Sequence, residues 1–182
     1  MSRVSQRFGI ISASRIAEMQ ADVEQVLFWA SELSGTGAEE AAWHSAVYHQ
    51  LLKLSIYKDG RPRKDLVGFS QCTSAATVPQ YRTSDTPTKK VDFCIHIDPE
   101  FDLGTQHNAA AARVRALCQT LSQQTINATD CEPLCGRPIA VSLESKKPDA
   151  GKSADAQLQI AMWHAAQWRM LELLLERQAS AT

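Results

Sequence analysis

Two short β-rich runs constrain this chain most. They are Pro138-Ile139-Ala140-Val141-Ser142-Leu143-Glu144-Ser145-Lys146 and Lys89-Lys90-Val91-Asp92-Phe93-Cys94-Ile95, and each places an acid where an apolar strand meets polar chain. Side chains alternate faces along a strand, so Glu144 and Lys146 share a face and Ser145 points to the other. With Asp92 on a neighbouring strand, two carboxylates and an ammonium face one way. That is the donor set of a divalent-metal site with a lysine beside it.

The length of 182 residues and a 44% apolar content fit one globular domain over 1–182, with 1–12 flexible and 178–182 a tail. Nineteen basic and 20 acidic residues leave a formal charge of −1, which excludes the global basic field of many nucleic-acid binders. Nucleic-acid contact then depends on local patches, of which Lys58 to Lys64 is the best, followed by Lys89-Lys90 and Lys146-Lys147. No apolar run approaches the roughly 18 residues of a membrane helix, and the start lacks the apolar core of a secretory signal. The expectation is therefore an intracellular protein, cytoplasmic or nuclear, with no membrane partner; Arg3, Arg7 and Arg15 among serines only weakly suggest a mitochondrial presequence. Five scattered cysteines suit reduced thiols better than a disulfide framework, and Cys131 and Cys135 lack a second pair at zinc spacing.

Apolar residues at three- and four-residue steps predict helices over 12–33, 38–56, 108–121 and 154–176, the last with apolar residues around much of its circumference and so deeply packed. Gly35 and Gly37 end the first, and Glu39-Glu40 occupy the first turn of the second. Strands are expected at Leu66 to Phe69 with Cys72 to Val78, as one strand or two short ones, at Val91 to Ile97, and at Pro138 to Glu144. Tyr81 to Thr88 and Thr125 to Arg137 are loops. The order α-α-β-β-α-β-α defines an α/β or α+β fold with a central sheet flanked by helices.

Asp92 followed 52 positions later by Glu144-Ser145-Lys146 resembles the D…E-x-K signature of the PD-(D/E)XK nuclease superfamily, and in particular its fungal nuclease-like branch. The supporting residues are Glu40 with Trp43, Thr73-Ser74-Ala75, Lys90 to Phe93, Asn127-Ala128-Thr129, Pro138 to Lys146, and Ala156 to Trp163 continuing into Ala166-Gln167-Trp168. Val91 stands where proline often precedes the Asp, and Ala128 where the branch has a larger residue. The chain also ends at Thr182, without the strands that follow the long helix in family members. The resemblance thus implies a restriction-endonuclease-like mixed sheet lacking its C-terminal edge strands, either because the chain is a trimmed piece or a short paralogue or because a homodimer or partner chain supplies the open edge.

The function implied is a hydrolase, a Mg²⁺- or Mn²⁺-dependent endonuclease-like phosphodiesterase acting on nucleic acid, DNA ahead of RNA. Asp92 and Glu144 would hold the cation, with the Ser145 carbonyl as a further ligand, and Lys146 would orient or deprotonate the attacking water. Glu40 matches a third acid, and Gln159 with Trp163 matches a Gln and aromatic pair lining the active site. Replacing Asp92 or Lys146 by Ala is expected to abolish cleavage with the fold intact. The alternative is the same fold reused without nuclease activity, as a small-molecule enzyme or protein-binding module. Read without the resemblance, the acids are strand-end carboxylates, Lys146 a surface ion-pair partner, Glu40 a first-turn acid, Gln159 a solvated amide, and Trp43, Trp163 and Trp168 core residues. His96 shares a strand face with Asp92 and Cys94, whereas Ser142 and Ser145 lack a nucleophile's His/Asp context, and no Gly-rich phosphate loop is present.

Overall fold

Asp92 leads into the middle strand of the sheet. The computed structural model describes residues 13–57, 65–82, 90–102, 104, 109–146 and 153–180. Among these residues β1 (Val67–Gln71), β2 (Phe93–Ile97) and β3 (Ile139–Leu143) form one sheet in the order β1-β2-β3. Both pairings are antiparallel, with Phe69 opposite Ile95, Phe93 opposite Leu143, and a bulge between Ile95 and His96 on the β3 side. A parallel partner of the kind a mixed sheet carries is not among the described residues.

The helices are α1 (Ala13–Gly35), α2 (Glu40–Trp43) running through a π turn (His44–Tyr48) into α3 (His49–Ile56), then α4 (Ala109–Thr120) and α5 (Ser153–Ser180). Counting α2 to α3 as one interrupted helix, the element order is the expected α-α-β-β-α-β-α. The chain divides into two compact units, Met1–Arg61 and Pro62–Thr182. In the first, α1 packs against the α2 to α3 helix, and Val26 and Val47 are buried. A Schellman turn closes α1. The Ala38 N–H donates to the Leu33 carbonyl at 3.1 Å and the Gly37 N–H to that of Ser34 at 3.4 Å, with Gly37 at φ +62°, where a Cβ would be strained.

In the second unit the sheet has one covered face and one partly open face, as alternation requires. Asp92, Cys94 and His96 are buried on the first, while Val67, Ile97 and Val141 on the second are exposed. α5 packs over the Cys94 face through Trp163, beside Cys72, Val91 and Leu134. Further along, Ala166 and Met170 of α5 pack with Val78, Tyr81 and Ala128. Full burial of a side chain such as Met170 is worth roughly 1.5–3 kcal/mol. The thiols belong to this interior. Hydrogen bonding to Cys94 and burial hold the Cys72 thiol far above its ordinary range, and burial pushes Cys131 up to about 11 and raises Cys118 and Cys135. The shifts favour the neutral thiol, as expected of cysteines packed in an interior.

Three expectations are corrected. Cys72 to Val78 forms no strand; its backbone is held by Ala128 to Asp130 through a single bridge, Thr77 to Thr129, with the Val78 N–H on the Ala128 carbonyl at 2.9 Å. α5 is not buried all round, since Leu158, Leu171 and Leu175 are exposed, and Trp168 is 66% exposed rather than core. Helix α5 also continues through Ser180, into the stretch expected as a tail. The basic run Lys58 to Lys64, Lys89, Lys147, His107, Arg3 and Arg7 lie outside the described residues, as do 1–12 and 83–88. Among the described residues no helix is long and apolar enough to cross a membrane.

His96 carries a pH prediction. Its ring lies so close over Gly68 that a Cβ there would sit 2.8 Å from Cε1. Burial, and then the charge of Arg137, hold its pKa below the ordinary value of about 6.5, outweighing the carboxylate of Asp98. The unfolded chain therefore takes up this proton before the folded one does, and stability present above about pH 6.5 is lost as pH falls toward the folded pKa. The slope from this one group cannot exceed about 1.4 kcal/mol per pH unit. His96→Gln removes that proton uptake, so its stability deficit should shrink between pH 7.5 and 5 in urea titrations. A pH-independent deficit would refute the assignment.

Candidate active site

The site is built where β2 begins and β3 ends. Phe93 and Leu143 are register partners, and the Asp92 N–H donates to the Leu143 carbonyl at 3.0 Å, which fastens the two strand ends together. Asp92 therefore stands against the Glu144-Ser145-Lys146 segment. Its carboxylate is buried in a residue only 7% exposed, and Oδ2 accepts from the Ser145 N–H at 2.7 Å and from Ser145 Oγ at 2.6 Å. The residues on either side of Ser145 pair with each other: Lys146 Nζ lies 2.6 Å from Glu144 Oε1. The Glu144 side chain is 2% exposed and that of Lys146 is 23% exposed. Regular strand geometry stops at Leu143, so alternation does not carry through 144–146. Ser145 instead turns both its donors to Asp92.

Helix α5 is stitched to the same region along one stripe. Gln159 Nε2 donates to the Lys90 carbonyl at 2.6 Å, Trp163 Nε1 to Ser142 Oγ at 3.0 Å, and Gln167 Oε1 accepts from the Ala128 N–H at 3.0 Å. These residues are four apart, so one helix face supplies all three bonds. Gln159 thus holds the segment that leads to Asp92, and Trp163 holds the strand that leads to Glu144. Trp163 combines the core position expected of it with this polar contact.

Asp92, Glu144, Ser145 and Lys146 are brought together by these contacts, with Gln159 two residues along the chain from Asp92 through its bond to Lys90. Glu40 opens α2 in the first unit and is half-buried. Sequence reasoning gave Ser145 only a carbonyl role and Ser142 none. The signal for Ser142 was its placement one residue before Leu143 on the strand that α5 must cover. At the other end of β2 a cavity of about 270 Å³ is lined by Asp98, Glu100, Arg115, Glu132 and Arg137 among others. Arg137 Nε pairs with Asp98 Oδ2 at 2.8 Å and Arg115 pairs with Glu100, while Pro99, Ala111, Val114 and Pro133 line the rest, so the cavity is mixed in character.

Two buried carboxylates are hard oxygen donors, the kind that Mg²⁺ and Mn²⁺ prefer, and the neighbouring ammonium and Ser145 donors compensate their burial. The residues present fit a divalent cation. A family model for the PD-(D/E)XK nuclease superfamily matches residues 4–182. No curated protein and no solved structure matches the chain. The match spans nearly the whole sequence, including the strand pair that carries Asp92, Glu144 and Lys146, and the chain belongs to the PD-(D/E)XK nuclease superfamily.

Proposed function

We propose that this protein is a metal-dependent phosphodiesterase that hydrolyses nucleic acid, DNA ahead of RNA. The observation that supports the reading best is the juxtaposition of buried Asp92 with the Glu144–Lys146 pair through Ser145. PD-(D/E)XK nucleases use divalent cations. Mg²⁺ or Mn²⁺, when bound, would supply a Lewis acid for the phosphoryl oxygen and a more acidic water. Asp92 and Glu144 would hold it, with the Ser145 carbonyl as a further oxygen. Lys146 would orient the attacking water or offset charge on the phosphoryl oxygens, and its contact with Glu144 keeps Nζ beside the acids. Gln159 contributes by fixing the Lys90 carbonyl two residues before Asp92. Glu40 enters as a third acid from the family pattern. Within the superfamily we place the chain in the fungal nuclease-like branch, on Glu40 with Trp43, Asn127 to Thr129, and Gln159 with Trp163.

Asp92→Asn keeps an acceptor for Ser145 and removes the charge. With Mg²⁺ or Mn²⁺ and plasmid, single-stranded DNA and RNA as substrates, the wild-type chain should cut at least one of them. The variant should cut it about 100-fold more slowly or worse, at an unchanged melting temperature. Equal cleavage by the two proteins, or none by the wild type on any substrate, would sink the proposal in favour of a fold reused for another purpose.

A further inference from the structure

The geometry points to Ser145 as a positioning residue that selects which oxygen of Asp92 is offered to a cation. The inference rests on the metal-dependent reading given above. A single residue donates twice to one carboxylate oxygen, from its N–H at 2.7 Å and from its hydroxyl at 2.6 Å. The hydroxyl has to be the donor, because an ionised carboxylate only accepts, and the distance is that of a short, charge-assisted bond. With two donors already on Oδ2, a cation at Asp92 would be taken by Oδ1.

The terminal torsion of an aspartate is broad and roughly two-fold, and a lone backbone N–H would fix it poorly. The hydroxyl closes a second bond to the same oxygen and removes that freedom. Ser145 also lies between Glu144 and Lys146, which pair at 2.6 Å. The same residue therefore sets the carboxylate from the start of β2 relative to the acid and ammonium that follow β3. Residues that orient a metal-ligating carboxylate in this way typically govern affinity by about 10- to 100-fold.

The test uses the full chain and Mn²⁺ itself, followed by calorimetry and by the electron paramagnetic resonance of the bound ion. Ser145→Ala should weaken Mn²⁺ binding by about 10-fold or more. Ser145→Thr, which retains the hydroxyl, should bind close to wild type. If Ser145→Ala does not fold, Ser145→Cys, of similar shape but a weak donor, takes its place with the same expectation. A Ser145 that only satisfies a buried carboxylate would lower the melting temperature and leave Mn²⁺ affinity unchanged, which would overturn the inference alone. A wild-type chain that binds no Mn²⁺ would overturn both the inference and the metal-dependent reading beneath it.

Discussion

Lys146→Ala should destabilise the second unit by about 3–5 kcal/mol, the usual cost of breaking a buried ion pair from one side. The cost comes from the carboxylate. Glu144 is 2% exposed in its side chain, so removing the ammonium 2.6 Å away takes a compensating charge from a carboxylate held in a dry place. The reverse change should be milder, because the Lys146 side chain is 23% exposed and its flexible stem can carry Nζ to water when Glu144 is replaced by Gln. Replacing both partners with apolar residues of similar size, Glu144→Leu with Lys146→Met, should recover most of the stability while leaving cleavage abolished. Urea titrations of the wild type and these three variants measure each cost directly. Loss of less than about 1 kcal/mol in Lys146→Ala would show that the pair is effectively solvated. The buried pair makes Asp92→Asn a cleaner probe of chemistry than Lys146→Ala, whose loss of cleavage would be mixed with a loss of stability.

The sequence was legible where period and composition act locally. Alternation placed β2 and β3 to within two residues, and the three- and four-residue steps located all the long helices. The D…E-x-K spacing singled out Asp92, Glu144 and Lys146, whose strand ends meet as Phe93 pairs with Leu143. What escaped depends on partners distant in sequence. Cys72 to Val78 has strand-like composition, yet Thr129 Oγ1 donates to the Ala76 carbonyl at 2.8 Å and Asp130 Oδ1 accepts from the Ala76 N–H at 3.2 Å, so turn residues replace a neighbouring strand. The apolar face of α5 was misjudged for a related reason. Apolar content fixes how much of a helix can be buried, whereas the bonds of Gln159, Trp163 and Gln167 fix which face is turned to the sheet. The role of Ser145 was hidden by strand alternation itself, which no longer holds once the strand ends at Leu143.

Asn127→Ala is expected to cost about 3–5 kcal/mol, because three backbone groups depend on one side chain. Asn127 is fully buried, and its Nδ2 donates to the carbonyls of Leu134 at 2.6 Å and Arg137 at 3.0 Å, while Oδ1 accepts from the Ile139 N–H at 3.0 Å. The amide thereby ties the loop of 125–137 to the first residue of β3, the strand whose far end delivers Glu144. Each buried group left without a partner costs about 1–3 kcal/mol. The Leu134 carbonyl also accepts from the Arg137 N–H at 3.0 Å, which lowers the total somewhat. Asn127→Asp separates the two sides of the clamp. It can still accept from Ile139 but cannot donate to either carbonyl, and it buries a charge, so it should be at least as damaging as Ala. In the sequence Asn127-Ala128-Thr129 reads as a glycosylation sequon, yet in the folded chain the amide is consumed by this clamp and Ala128 is packed against Tyr81 and Met170. Hydrogen exchange at Ile139 is the sharpest readout, because its N–H loses the bond in Asn127→Ala and keeps an acceptor in Asn127→Asp. Full protection of that amide in Asn127→Ala, with less than about 1 kcal/mol lost, would show that water or backbone readily replaces the side chain.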